Sequence, residues 1–82
     1  MNKRQQRHLA KLQANPKSVS PEDLRAALEA FGFELKRQSG SHMTYYRQGS
    51  GIITVPYRRP VKQVYVQQVL DMFGDIVRES NE

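Results

Sequence analysis

The hydrophobic positions of this chain change period twice. Leu24, Ala27, Leu28 and Phe31 recur at helical spacing and form one apolar stripe. Ahead of them, Ser20-Pro21-Glu22-Asp23 supplies a capping hydroxyl, a proline suited to the first helical position and two acids for the positive end of the helix dipole. A helix is predicted over 21–31, closed by Gly32 in a left-handed cap. From Phe33 the period falls to two, with Phe33 and Leu35 on one face of a strand and Glu34, Lys36 and Gln38 on the other. Ser39-Gly40-Ser41 reads as a turn, Met43 to Arg47 as a second strand, Gly49-Ser50-Gly51 as another turn, and Ile52 to Val55 as a third strand ended by Pro56. Beyond the loop Tyr57-Arg58-Arg59-Pro60, helical spacing returns in Val61, Val64, Tyr65, Val69, Leu70, Met72, Phe73, Ile76 and Val77. Gly74 is a candidate early end for that helix, and Arg78 to Glu82 are expected to fray.

The order helix, three antiparallel strands, helix predicts an α+β two-layer domain in which both helices bury their stripes on one face of the sheet and the other face stays open. Residues 1–19 stand apart as a basic N-terminal arm and linker. Lys3 to Ala14 are good helix formers with too few apolar residues to define a packed face, so a loose helix is expected, broken at Asn15-Pro16.

Composition sets the bounds. Eighty-two residues accommodate one compact core, and any site is expected on the surface. Cysteine is absent, which removes disulfides and thiolate ligands and suits a reducing compartment. Neither an apolar run of membrane-spanning length nor the apolar stretch of a secretory signal is found, so the expected setting is cytoplasmic, away from membranes.

Charge is more informative once it is located. Lys3, Arg4, Arg7, Lys11 and Lys17 come with no acid, while the remaining eight bases are matched by all eight acids, so the net charge of +5 resides in the arm. Even so, between Leu35 and Leu70 six bases (Lys36, Arg37, Arg47, Arg58, Arg59 and Lys62) occur with no acid. Such a stretch attracts polyanions, of which phosphate backbones are the obvious class, or simply keeps a small domain solvated.

Few residues are equipped for chemistry. Neither His8 nor His42 has a neighbour at metal-ligand spacing, and no phosphate-binding glycine loop precedes a helix, so no metal or cofactor is expected. His42 stands at the head of a strand, after the turn containing Gly40 and Ser41, with Lys36 and Arg37 on the preceding strand and Arg47 on its own. An imidazole exchanges protons near neutral pH, as RNA cleavage requires, and cations beside it stabilise a developing phosphorane. A bystander histidine at a strand edge has the same sequence signature. Arg58 and Arg59 read as phosphate clamps or as a solvated basic loop, and Tyr45, Tyr46, Tyr57 and Tyr65 as packing or as base-stacking platforms.

From Phe31 to about Leu70 the chain resembles the HicA (YcfA/HicA) family of toxin–antitoxin toxins. Gly32-Phe33, Gly40-Ser41-His42 before an aromatic strand, Ile53-Thr54-Val55-Pro56 and Val64-Tyr65-Val66-Gln67-Gln68-Val69-Leu70 carry the resemblance. It implies a fold like that of double-stranded-RNA-binding domains over residues 20–82, and a ribosome-independent mRNA interferase whose catalytic histidine is His42. It also implies neutralisation by a HicB-like antitoxin. Lys36, Arg37, Gly40, Ser41, Arg47, Arg58, Arg59 and Lys62 are then the expected RNA-binding residues, with cleavage independent of metal. Many members carry a second histidine directly after the first, where this chain has Met43, and another in the loop now occupied by Tyr57-Arg58-Arg59-Pro60. The competing expectation is a non-catalytic RNA-binding module that keeps the fold and the charge.

Overall fold

The computed structural model describes residues 1–80. Its elements are α1 (Lys3–Ala14), α2 (Pro21–Ala30), β1 (Glu34–Ser39), β2 (His42–Arg47), β3 (Gly51–Pro56) and α3 (Gln63–Ser80). The strands form one antiparallel sheet in the order β1-β2-β3. The α+β architecture expected from the hydrophobic pattern is therefore the one observed. Leu24, Ala27 and Leu28 of α2, Val66, Val69 and Phe73 of α3, and Met43, Tyr45, Ile53 and Val55 of the sheet belong to one buried cluster. Both helices thus cover the same sheet face, and Phe31 stacks on Phe73 with ring centroids 3.8 Å apart.

Local chemistry explains where α2 begins and ends. The Ser20 hydroxyl accepts the Asp23 amide at 3.0 Å, and Pro21 fills the first helical position. At the other end the Phe33 amide donates to the Leu28 carbonyl and the Gly32 amide to the Glu29 carbonyl, both at 3.0 Å. These are the two bonds of a Schellman cap, and they need the positive φ of 91° that Gly32 adopts.

Three features depart from the sequence expectation. The arm is not a loose helix: α1 has a capping box between Asn2 and Gln5, and Leu12 is fully buried. Two further contacts fasten it, since the Gln5 side-chain amide donates to the Ala30 carbonyl at 3.0 Å and the Lys11 ammonium meets Asp23 at 3.1 Å. A stripe as narrow as Leu9 and Leu12 suffices because these polar contacts orient it. Next, α3 passes through Gly74 without interruption, its buried residues continuing to Ile76. Its last turn runs to Ser80 rather than fraying from Arg78; the rest of the expected fraying, at Asn81 and Glu82, lies outside the described residues. Finally, β1 and β2 lose register between Leu35 and Arg37, where two residues of β1 oppose one of β2. No helix among the described residues is long and apolar enough to cross a membrane.

Candidate functional site

The turn between β1 and β2 is set by its glycine. Ser39 pairs with His42, leaving Gly40 and Ser41 as a two-residue loop in which only Gly40 has positive φ, at 58°. That is the pattern of a type II′ turn, whose first central residue is glycine because side chains disfavour that φ. A Cβ on Gly40 would meet no atom within 4 Å, so the glycine is there for conformation and not for space. The consequence is that His42 becomes the first paired residue of β2, exposed, with Ser39 on one side and Pro56 on the other.

Strand alternation sorts the rest of β2. Met43 and Tyr45 are buried beneath the helices, so His42, Thr44 and Tyr46 line the open face. Across the sheet, Thr44 pairs with Thr54, their hydroxyls 3.1 Å apart, and Tyr46 pairs with Ile52. On the other flank the irregularity in β1 changes the outcome. Unbroken alternation from Phe33 and Leu35 would turn Arg37 toward the core, but the extra residue at the bulge pairs it with Thr44 on the open face. Arg37 is thereby the diagonal neighbour of His42, a separation of about 7–8 Å between backbone positions that an arginine side chain spans.

Not every predicted basic residue joins this site. Arg47 lies on the core side of β2 at its far end; its Nε donates to the Phe31 carbonyl at 2.8 Å and its Nη1 to the Ser50 hydroxyl at 2.9 Å. It clasps the sheet to the α2 cap, about 17 Å along the strand from His42 by the rise of five residues. Lys36 pairs with Glu34 at 2.8 Å, and this contact raises the lysine pKa while lowering that of the carboxylate. Arg59 is held by Glu22 and by the Tyr57 hydroxyl, and its hydrogen bond to Glu22 lowers that carboxyl's pKa. Arg37, Arg58 and Lys62 are exposed and form no ion pair with any described residue. The Tyr57 amide donates to the Ser41 carbonyl, which brings the start of the Tyr57-Arg58-Arg59 loop to the His42 end of the sheet.

Thr44, Thr54 and the exposed Tyr46 and Tyr57 are polar or aromatic surface near His42 that the sequence reading did not single out as a group. Counting in twos from His42 identifies Thr44 and Tyr46; the cross-strand partners needed the register. Among the described residues, no group of three or more His, Asp or Glu side chains is placed to hold a metal ion.

The family model described as HicA toxin of bacterial toxin-antitoxin matches residues 21–74, from the first residue of α2 well into α3. The chain belongs to the HicA toxin family. No curated protein and no solved structure matches it. The matched region of this HicA toxin contains His42, its turn, the bulge and the Tyr57-Arg58-Arg59 loop, whereas α1 lies wholly outside it. Met43, which replaces the second histidine common in the family, is 3% exposed and accepts the Tyr45 hydroxyl at its sulfur, 3.7 Å away. In this fold the position therefore faces the core, on the opposite side of the sheet from His42.

Proposed function

We propose that this HicA toxin is an endoribonuclease that cleaves mRNA without ribosomes or metal, with His42 as its proton-transfer residue, and that a HicB-like antitoxin neutralises it. The observation that carries the reading is the placement of His42 on the open sheet face with Arg37 turned to the same face by the β1 bulge. His42 either takes the proton of the attacking ribose 2′-hydroxyl or gives one to the departing 5′-oxygen, and water completes the other transfer. As the 2′-oxygen bonds to phosphorus and the bond to the 5′-oxygen breaks, Arg37 stabilises the added negative charge on the phosphorane. Arg58 and Lys62 attract the flanking phosphates, while the Gly40-Ser41 turn fixes where the imidazole stands. A surface site of this kind admits a single strand laid across the sheet, with Tyr46 or Tyr57 available to stack a base. The antitoxin is expected to cover this open face and exclude RNA from His42.

Expression in a host lacking the antitoxin tests the reading. The wild-type protein is expected to arrest growth with loss of mRNA, His42→Ala to be harmless, and Arg37→Gln to be attenuated. Arrest of equal severity by His42→Ala would remove the histidine from the mechanism. Salt-sensitive RNA binding by both proteins with cleavage by neither would favour the non-catalytic binding module instead.

A further inference from the structure

The segment ahead of the family match, α1 and its linker, carries the molecule's whole charge excess. Residues 1–17 contain five bases and no acid. Within α1, Lys3, Arg4 and Arg7 are exposed, and none forms an ion pair with a described residue. Arg4 and Arg7, three residues apart, share a helix face with Lys11 one turn further on. His8 beside them reports the resulting field: burial lowers its pKa first, and Arg4, Arg7 and Lys11 lower it further against the opposing pull of Asp23.

Two contacts fix the direction of this ridge. Gln5 reaches Ala30 at the end of α2 and Lys11 reaches Asp23 at its start, so α1 runs antiparallel to α2. Next to Asp23, Glu22 holds Arg59 and Tyr57, and the Tyr57 amide meets Ser41. The C-terminal end of α1 accordingly lies toward the His42 end of the molecule, and Arg7, Arg4 and Lys3 lead away from it along the helical layer.

We propose that the exposed ridge of Lys3, Arg4 and Arg7 is an RNA-backbone track that holds phosphates of the same strand several nucleotides from the cleaved bond, where the strand leaves the sheet face, and raises affinity without taking part in the reaction. The proposal rests on RNA being the substrate of the His42 site. Arginine forks suit phosphate oxygens, and contacts of this kind position a strand without reading its sequence. A protein partner is the poorer fit, because interface hot spots set their arginines among tryptophan and tyrosine in packed, desolvated pockets, and this ridge has neither beside its arginines. Of the exposed large hydrophobic residues among the described ones, Tyr46, Ile52, Tyr57 and Val64 lie elsewhere in the fold, leaving only Met1 at the start of the ridge.

The test measures binding of a scrambled-sequence single-stranded RNA to the full chain over a salt series, in a His42→Ala background that prevents cleavage. Arg4→Gln/Arg7→Gln is compared with Arg25→Gln/Arg78→Gln, a control of equal charge change at two other exposed arginines. The ridge variant is expected to bind more weakly, with a log–log salt slope shallower by about 1.4, at about 0.7 per lost phosphate contact, while the control keeps the parent slope. Equal slopes for the two variants overturn the track, including the case in which only binding to a copurified protein is lost. Absence of salt-dependent RNA binding in the parent would instead sink the RNA reading of the whole protein.

Discussion

His42 and Arg47 are five positions apart on β2, an odd number, and so face opposite sides of the sheet. That much was legible in the sequence once the strand was recognised, yet proximity along the chain suggests a shared site that the alternation forbids. Arg47 instead satisfies the Phe31 carbonyl at the α2 cap, where Gly32 leaves no room to spare: a Cβ there would come within 3.3 Å of the Arg47 Nε. Arg47→Ala is expected to destabilise the fold by about 1–3 kcal/mol, the range for stranding a part-buried hydrogen-bonding group, with RNA affinity at low denaturant nearly unchanged. Urea titration alongside an RNA-binding curve checks both halves. Glu22 gives a pH-dependent counterpart. Its hydrogen bond to Arg59 lowers its folded-state pKa, so its contribution is fully present above the unfolded carboxylate value of about 4.3 and is lost as pH falls through the lowered folded value. The melting-temperature difference between wild type and Glu22→Gln should be constant near neutrality and vanish in acid; a difference that grows in acid would contradict the assignment.

At the level of elements, periodicity revealed α2, the three strands and α3, because each has an apolar stripe with its own start and stop residues. It could not reveal the β1 bulge. Phe33, Leu35 and Arg37 alternate as an ordinary strand does, and only pairing with β2 shows the extra residue that turns Arg37 outward. The packing of α1 was hidden for a similar reason, since its anchors are two leucines and side-chain bonds to residues far along the chain. Leu12 is 1% exposed, so Leu12→Ala should cost about 2–5 kcal/mol, read as a lower urea midpoint. A change within about 0.5 kcal/mol, typical of surface substitutions, would mean that α1 is not docked as described.

For the molecule as a whole, two faces divide the work. The helical face builds the core and carries the α1 ridge, while the open sheet face presents His42, Arg37 and the threonine pair. The histidine's position was readable from Gly40-Ser41-His42, and Arg37 was expected beside it, but which cations stay unengaged was not readable, because the pairing of Lys36 with Glu34 and of Arg59 with Glu22, and the face that Arg37 takes, appear only in the fold. Because the proposed chemistry uses an imidazole and guanidinium groups alone, cleavage is expected to persist when a chelator is present. The most direct measurement is therefore single-turnover cleavage of an mRNA by the purified protein in chelator, wild type against His42→Ala. Cleavage by the wild type is expected, with a loss of at least about 100-fold in the variant, the lower end for removal of a general acid–base group. Cleavage by His42→Ala at the wild-type rate would contradict that role for His42.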